Sequence, residues 1–271
     1  MSRYSFDGRT AVVTGAGSGI GRALSLALAE RGASVALVER DGERLDAVRG
    51  ELGGTIHSAH ELDVTDRDGV ATLPDRVLAR HTGVDLVFNN AGVAVDGTFD
   101  AISEADFDWL MDVNFNAVVR VTRAFLPHLR RSDDAVIANV SSIFGIIAPP
   151  RQSAYSAAKF AVRGFSMALA HELDGTNVHV AVVHPGGVDT RIALDSRMPD
   201  GTTEAERTRR LALARKLLRM PPSRAASIIL DGIERRRRRI VVGRDAMAGQ
   251  RLERLLPTGY IRVLRRLGMG P

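Results

Sequence analysis

The sequence predicts a single-domain α/β fold, in which a doubly wound parallel sheet of about seven strands carries helices on both faces. Short, continuous apolar runs rich in β-branched residues alternate with longer amphipathic stretches, which is the pattern of buried parallel strands and crossover helices. No linker or internal repeat divides the 271 residues, and the contents of 45% hydrophobic and 25% charged residues are close to globular averages.

The predicted elements alternate along most of the chain. The runs that predict strands lie at Thr10–Thr14, Ser34–Val38, Ile56–Leu62 (the weakest pattern), Val84–Phe88, Ala135–Val140, Val178–Val183 and Ile240–Val242. The stretches that predict helices lie at residues 19–31, 41–53, 66–82, 103–131, 153–175, 203–219 and 222–236. The connection 186–221 is too long for a simple link, so we expect a lid or a binding loop there.

The basic charge of the chain is concentrated at its C-terminus. The whole chain carries a net charge of +5, whereas residues 235–271 contain 11 Arg, no Lys and two acidic residues, which gives +9 there and −4 elsewhere. We therefore expect residues 244–271 to form a basic amphipathic helical appendix, separate from a main domain at residues 1–243.

The composition excludes several classes of protein. The chain has no cysteine, which excludes disulfides and thiolate chemistry and fits a reducing compartment. Its seven histidines do not have metal-ligand spacing, so no metal site is expected. The N-terminus has no apolar stretch after a basic start, and no apolar window reaches about 18 residues. We expect neither a signal peptide nor a transmembrane helix, and a cytoplasmic location.

A glycine-rich segment, Thr14-Gly-Ala-Gly-Ser-Gly-Ile-Gly21, follows the first predicted strand and opens the first predicted helix. Glycines allow a sharp turn and the close approach of a pyrophosphate, and the N-terminus of the following helix attracts the anion. The strand, loop and helix together therefore predict a Rossmann-type dinucleotide site. The expected contacts in this segment are Gly15, Ser18, Gly19, Ile20 and Gly21.

A tyrosine and a lysine, Tyr155 and Lys159, lie four residues apart in a predicted helix, so their side chains share one face. A phenol has a pKa near 10 in water, roughly three units above neutrality. A neighbouring cation favours the phenolate, so we expect Lys159 to lower the pKa of Tyr155 towards neutrality. The pair is a hypothesis for a group that moves a proton on and off an alcohol oxygen.

These motifs together resemble the short-chain dehydrogenase/reductase family. The glycine spacing matches its T-G-x-x-x-G-x-G form. Further family motifs follow in the family order over about residues 8–190, namely Asn89-Asn-Ala-Gly92, Asn114, Asn139-Val-Ser-Ser142, Tyr155, Lys159 and Pro185-Gly-Gly-Val-Asp-Thr190. The main body of the family normally ends near the seventh strand, so the C-terminal appendix is a departure from it.

The resemblance implies a catalytic set of Asn114, Ser142, Tyr155 and Lys159. Tyr155 would take or give the proton on the substrate oxygen, while Lys159 assists it and contacts the nicotinamide ribose. Ser142 would hold the substrate oxygen, and Asn114 would hold a water that links Lys159 to solvent. Ser141 and His184 are interpreted as structural.

The resemblance also implies a nicotinamide cofactor. Beyond the glycine-rich segment, the expected contacts are Glu39, Arg40, Asp63, Val64, Asn90, Ala91, Gly92, Tyr155, Lys159, Pro185, Gly186, Val188 and Thr190. Glu39 lies where a carboxylate accepts hydrogen bonds from the ribose hydroxyls and repels a 2′-phosphate, which favours NAD. Arg40 could instead bind that phosphate, so NADP stays an alternative.

The substrate is expected to be a hydrophobic secondary alcohol or ketone, because the candidate pocket residues are mostly apolar. These are Val93–Val95, Ile143–Ile147, Gln152 and the loop from Gly187. A catalytically inactive dinucleotide-sensing protein of the same fold is the alternative. The complete set of Asn, Ser, Tyr and Lys argues against it. We expect the chain to form a homodimer or homotetramer.

The C-terminal appendix mixes leucines with arginines, from Arg251 and Leu252 through Tyr260 to Leu264 and Leu267. Packing of its apolar residues on the domain or on a second subunit is the favoured interpretation. Peripheral membrane contact through a basic amphipathic helix stays open but is not favoured. No aromatic interleaving supports nucleic acid binding, so no nucleic acid partner is expected.

Overall fold

The computed structural model describes residues 3–54 and 56–266, and its seven strands form one parallel sheet. The strands are β1 (Thr10–Thr14), β2 (Ser34–Glu39), β3 (Ser58–Glu61), β4 (Leu86–Asn89), β5 (Ala135–Val140), β6 (Val178–Pro185) and β7 (Arg239–Val242). Their order across the sheet is β3-β2-β1-β4-β5-β6-β7. The direction of winding reverses between β1 and β4, and the crevice at such a point is where open α/β sheets bind ligands.

Ten α-helices lie within the described residues, together with short turns of other helix types. They are α1 (Gly19–Ala29), α2 (Gly42–Leu52), α3 (Arg67–Leu78), α4 (Glu104–Met111), α5 (Ala117–Leu129), α6 (Ser153–Glu172), α7 (Glu204–Leu217), α8 (Pro222–Glu234), α9 (Arg244–Leu255) and α10 (Tyr260–Arg266). A π-helical turn at Asp112–Asn116 joins α4 to α5, so the predicted helix 103–131 is continuous but not uniform.

Two apolar layers cover the sheet, which confirms the prediction of a doubly wound fold. Successive residues of a strand point to opposite faces, so Val13 of β1 packs on one side and Val12 on the other. The first layer includes Leu24 of α1 and Ile229 of α8, and the second includes Phe125 of α5. The predicted strands are also confirmed, with differences of a few residues at their ends.

The long connection after β6 contacts the body at a few points, although its helix α7 has no buried residue. Arg197 pairs with the segment after β4 through a bridge to Val95. Its guanidinium lies 3.5 Å from the centroid of the Trp109 ring, which is a cation–π contact. Asp96 accepts a hydrogen bond of 2.8 Å from Arg210 of α7, which ties the helix to the same segment.

The helices α9 and α10 pack on the segment that follows β5. Leu252, Tyr260 and Leu264 form an apolar cluster with Ile146 and Ile147. The opposite side of this C-terminal region is exposed, with Leu255 77% accessible. Leu267, which the sequence pattern places in the same region, lies outside the described residues. Within residues 3–54 and 56–266, the helices are all too short or too polar to cross a membrane.

Three buried histidines and a serine form a polar cluster at the β3 edge of the sheet. The Ser58 hydroxyl lies 2.8 Å from His60 Nε2 and 2.7 Å from His81 Nε2, and His57 Nδ1 accepts the Val35 N–H. Burial lowers the pKa of His60 from 6.5 to about 4, and it lowers the pKa of His57 and His81 in the same direction. The fold therefore holds these imidazoles in the neutral form.

We expect the free energy of unfolding to fall as the pH drops from 6.5 to about 4, because the unfolded chain then binds protons that folded His60 does not bind. A shift of this size corresponds to a loss on the order of 3 kcal/mol. Urea unfolding at a series of pH values measures it.

The matched pair of variants for this experiment is His60→Gln and His171→Gln. The first removes a buried titrating group, so its pH dependence should be flatter, whereas the second removes an exposed histidine and should follow the unmodified protein. Equal pH slopes for both variants would show that His60 is not the group responsible.

Candidate active site

The glycine-rich segment forms a bare backbone cradle between β1 and α1. Gly15 and Gly19 have φ angles of +64° and +52°, a region that favours glycine. A Cβ atom on Gly21 would collide with the Gly15 carbonyl oxygen, so α1 approaches the end of β1 as closely as it does only because residue 21 is glycine. Ser18, at the N-cap of α1, makes no side-chain hydrogen bond to the first turn, which leaves those N–H groups for an anion.

The segment after β4 fixes the other side of this cradle. The Asn90 side chain donates to the backbone oxygen of Thr14 over 3.0 Å, and the Thr14 hydroxyl accepts the N–H groups of Asn90 and Ala91. Thr190, from beyond β6, packs its methyl group on Gly19, where a Cβ atom would lie 2.9 Å from it. Segments after β1, β4 and β6 therefore meet at the carboxyl edge of the sheet.

The carboxylate of Glu39 lies at the rim of the cradle, at the end of β2. Its Oε2 accepts the Gly17 N–H over 3.0 Å, and its Oε1 accepts the Arg40 N–H over 3.0 Å. The guanidinium of Arg40 lies 3.9 Å from a carboxylate oxygen of Asp63. Asp63 also accepts hydrogen bonds from Thr65 and precedes Val64, which is buried. The rim thus presents the Glu39 carboxylate, and the cation predicted beside it, Arg40, is already paired with Asp63.

Tyr155 and Lys159 lie one turn apart on α6, beside Ser142 at the end of β5, as predicted. Burial raises the pKa of Tyr155 to about 12, and the neighbouring Ser142 hydroxyl opposes this rise in part. Lys159 Nζ lies 5.6 Å from the centroid of the Tyr155 ring and donates to the Val140 carbonyl over 3.1 Å. Burial lowers the pKa of Lys159 to about 8. The expected lowering of the Tyr155 pKa by Lys159 is therefore not found in this state, because burial is the main cause of the shift and Lys159 is not among its causes.

Asn114 is fully buried in the π-helical turn and binds the segment after β4 at both ends of its amide. Its Nδ2 donates to the Val93 carbonyl over 2.9 Å, and its Oδ1 accepts the Val93 N–H over 2.8 Å. A Cβ atom on Gly92 would lie 3.2 Å from Asn114 Oδ1 and 3.5 Å from Lys159 Nζ. Asn114 therefore holds this segment against Lys159, and its side chain is committed to the Val93 backbone.

The loop after β6 brings Pro185, Gly186 and Val188 to the same edge of the sheet. Gly186 donates to the Val242 carbonyl over 2.9 Å, and Val188 donates to Gly186 over 3.0 Å. Gly187 N–H donates to Asp245 of α9 over 2.6 Å. The sequence reasoning missed Asp245, although an acid that follows Gly243 in an arginine-rich segment was a signal for it.

Residues interpreted as structural have structural contacts. Ser141 Oγ donates to the Lys159 carbonyl over 2.8 Å, and the His184 ring nitrogen Nδ1 lies 2.9 Å from the Ser142 carbonyl oxygen. Both contacts fix the backbone that carries Ser142 and Lys159. Burial lowers the pKa of His184 to about 4, so this imidazole is neutral at physiological pH.

The predicted substrate pocket is only partly correct. Ile146 and Ile147 are buried against α10 rather than facing an open site. Val93 and Phe115 pack in a cluster with Tyr155, and the Phe144 ring meets the Tyr155 ring edge-on at 6.2 Å between centroids. The surroundings of the phenol are therefore apolar. Across the described ranges, no group of three or more His, Cys, Asp or Glu side chains is arranged to hold a metal ion.

Comparison with known proteins gives a consistent result. Residues 9–200 match the family described as short chain dehydrogenase. A Mycobacterium tuberculosis protein named "Putative oxidoreductase SadH" is 42% identical over 264 residues, covering 96% of this chain and 95% of that protein. A match of this extent cannot stop at β7, so the similarity continues into α9.

Two solved structures with the same fold contain dinucleotides. A short chain dehydrogenase/reductase from Burkholderia phymatum in complex with NAD has a TM-score of 0.86 and 30% identity, covering 94% of this chain and 95% of that one. A metagenomic short-chain oxidoreductase in complex with NADP has a TM-score of 0.63 and 37% identity, covering 67% and 84% of the two chains. The neighbours therefore include complexes with both dinucleotides.

We expect Gly21→Ala to lower stability and to abolish dinucleotide binding, because the new methyl group would push α1 away from the Gly15 carbonyl oxygen. Overpacking of this kind costs roughly 1–3 kcal/mol. Thermal unfolding and titration with NADH, followed by fluorescence, measure the two effects.

Gly50→Ala is the matched control for this variant. A Cβ atom on Gly50 of α2 meets nothing within 4 Å, so this change should stabilise the helix by up to about 1 kcal/mol and leave NADH binding unchanged. Normal NADH binding by Gly21→Ala would show that the cradle does not hold the cofactor.

Proposed function

The chain belongs to the short chain dehydrogenase family, and from this premise we propose that it transfers a hydride between NAD and a hydrophobic secondary alcohol or ketone. Tyr155 acts as the acid or base. The observation that carries the proposal is the grouping of Tyr155, Ser142 and Lys159 beside a backbone cradle that suits a pyrophosphate. The bound nicotinamide supplies or accepts the hydride, which no side chain can do.

Tyr155 exchanges the proton on the substrate oxygen. Because burial raises its pKa to about 12, the phenol is protonated at neutral pH, which is the form that donates a proton to the oxygen of a ketone during reduction. In the oxidative direction the phenolic oxygen of Tyr155 must first lose its own proton, so that it can accept the proton of the alcohol. The Ser142 hydroxyl, placed beside the phenol, holds the substrate oxygen and stabilises charge that develops on it.

Lys159 makes the loss of that proton less costly. Its pKa of about 8 leaves the ammonium largely charged at neutral pH, and it lies 5.6 Å from the Tyr155 ring centroid. A cation at this distance stabilises the phenolate that remains after proton transfer. Asn114 keeps the Gly92–Val93 backbone against Lys159. Because its amide is committed to Val93, a water that returns protons from solvent to Lys159 would have to be held by the Asn114 backbone.

We assign the parts of the cofactor to the cradle and its rim. Gly15, Ser18, Gly19, Ile20 and Gly21 hold the pyrophosphate at the N-terminus of α1. Glu39 binds the adenosine ribose, with Asp63 and Val64 at the adenine. On the nicotinamide side the expected contacts are Asn90, Ala91, Gly92, Tyr155, Lys159, Pro185, Gly186, Val188 and Thr190.

NAD is the proposed cofactor rather than NADP. The Glu39 carboxylate would face a 2′-phosphate, and the cation that could offset the repulsion, Arg40, lies within 3.9 Å of Asp63. The neighbour in complex with NAD agrees with this choice, and the neighbour in complex with NADP keeps the alternative open.

The substrate class follows from the surroundings of the phenol. Phe144 contacts Tyr155 edge-on, and Val93 and Phe115 pack against the same apolar cluster as Tyr155, so an apolar group beside the reacting carbon is favoured over a charged one. Self-association into a homodimer or homotetramer stays a prediction, as does a peripheral membrane contact.

We expect Tyr155→Phe to lose at least about a hundredfold in kcat for ketone reduction, because the proton donor is removed. The dissociation constant for NADH should change by less than about twofold, since the ring is kept. Absorbance at the NADH band with a panel of hydrophobic ketones measures turnover, and fluorescence titration measures binding.

Tyr4→Phe is the matched control, because the buried Tyr4 hydroxyl lies near Asp85 and Asp134, which precede β4 and β5, at the opposite edge of the sheet from the site. It should keep full turnover. Turnover retained by Tyr155→Phe would exclude the proton-transfer role. NADH binding without turnover by the unmodified protein, over the whole panel, would favour the dinucleotide sensor.

We expect the unmodified protein to bind NADH more tightly than NADPH, and Glu39→Gln to narrow the gap by about tenfold, equivalent to about 1.4 kcal/mol. Glutamine keeps an acceptor for the Gly17 N–H but removes the charge. Fluorescence titration of both cofactors measures the ratio.

Glu43→Gln, an exposed change at the start of the neighbouring α2, is the control and should leave the ratio unchanged. A preference of the unmodified protein for NADPH would contradict the role given to Glu39.

A further inference from the structure

The C-terminal helices contact both loops that flank the proposed reaction site. The first contact is made by Asp245, in the first turn of α9, whose Oδ2 accepts the Gly187 N–H over 2.6 Å. The loop that contains Gly187 follows β6 and carries Pro185, Gly186 and Val188. The carboxylate therefore holds the backbone that we assign to the nicotinamide.

The loop is shaped around this carboxylate. A Cβ atom on Gly186 would collide with both Asp245 carboxylate oxygens, and a Cβ atom on Gly243 would collide with Oδ1. The carbonyl of Gly187 accepts the N–H of Met220 over 3.0 Å, so the same peptide segment is held from its other side as well. Asp245 thus occupies a space that only glycine at positions 186 and 243 leaves open.

The second contact is made by Tyr260, at the start of α10. Its buried phenolic oxygen accepts the Ala148 N–H over 3.2 Å, and its ring packs with Ile146 and Ile147. Gly249 of α9 lies so close to Ile143 that a Cβ atom would be 2.9 Å from Ile143 Cδ1. The C-terminal helices therefore support the segment that begins directly after Ser142.

We propose that Asp245 and Tyr260 are positioning residues of the C-terminal helices α9 and α10. Through them these helices set the separation between the loop after β6, which we assign to the nicotinamide, and the segment between Ser142 and Tyr155, on the substrate side. The inference rests on the proposed function. Asp245 acts on the cofactor side, because it holds Gly187. Tyr260 acts on the substrate side, because it holds the backbone between Ser142 and Tyr155. The C-terminal helices then help to determine which ketones fit, although they contact neither reacting atom.

The charge of this region supports a specific role for Asp245. It is one of two acids among residues 235–271, which otherwise carry 11 arginines. Arg244, Arg251 and Arg254 of α9 are exposed. Asp245 is exposed as well, but its carboxylate binds the loop after β6. Asp245 therefore provides the acceptor for the Gly187 N–H in a segment that is otherwise rich in arginine.

The test compares Asp245→Ala, Asp245→Asn and Tyr260→Phe with Arg251→Gln, an exposed change on α9. Asp245→Ala should weaken NADH binding and lower kcat, each by about tenfold, because a charged acceptor for Gly187 is lost. Asp245→Asn keeps an acceptor and should recover most of both. Tyr260→Phe should raise KM for the ketone by about fivefold at an unchanged NADH dissociation constant, since one neutral hydrogen bond is lost. Arg251→Gln should change neither constant.

Thermal unfolding separates positioning from stability. If the variants lower the melting temperature while kcat, KM and the NADH dissociation constant stay at their unmodified values, the positioning role is overturned. If the unmodified protein binds NADH but reduces no ketone, the proposed reaction fails. In that case the NADH dissociation constants alone test the positioning role of Asp245. The positioning role of Tyr260 is overturned together with the reaction.

Discussion

The close approach of α1 to the end of β1, at Gly21 and the Gly15 carbonyl, is the constraint on which the rest of the site depends. It directs the first turn of α1 at the crevice where the winding of the sheet reverses. Asn90 and Thr14 then fasten the end of β4 to the same point, and Thr190 covers it from β6. Three loops that are far apart in the sequence are thereby held at one edge of the sheet.

The chemistry at that edge is a balance between burial and charge. Burial raises the pKa of Tyr155 and lowers the pKa of Lys159, so it favours the neutral form of each. At neutral pH the pair is therefore a neutral phenol beside an ammonium that is still largely charged. Ser142 moves the pKa of Tyr155 in the opposite direction, which gives this serine an electrostatic role in addition to the substrate contact that we propose for it.

Local sequence patterns predicted the strands, most helices and the shared helix face of Tyr155 and Lys159, because each depends on short-range periodicity. The placement of Ser142 beside this pair was implied by the family resemblance instead. They could not predict the π-helical turn around Asn114, since the pattern of apolar residues does not report a shift in hydrogen-bond register. They also missed Asp245, whose partner lies 58 residues away. The prediction that the pKa of Tyr155 is lowered was wrong because burial, which raises this pKa, depends on residues that are distant in the sequence.

The attachment of α7 has a consequence for local unfolding. This helix has no buried residue, and Asp96 binds guanidiniums from both Arg210 and Arg151. Its hold on the body is therefore largely ionic, whereas the strands are held by apolar packing. Partly exposed ion pairs weaken as ionic strength rises. We therefore expect the α7 segment to open as a separate unit, with amide protons that exchange faster in high salt while those of β1 and β5 do not.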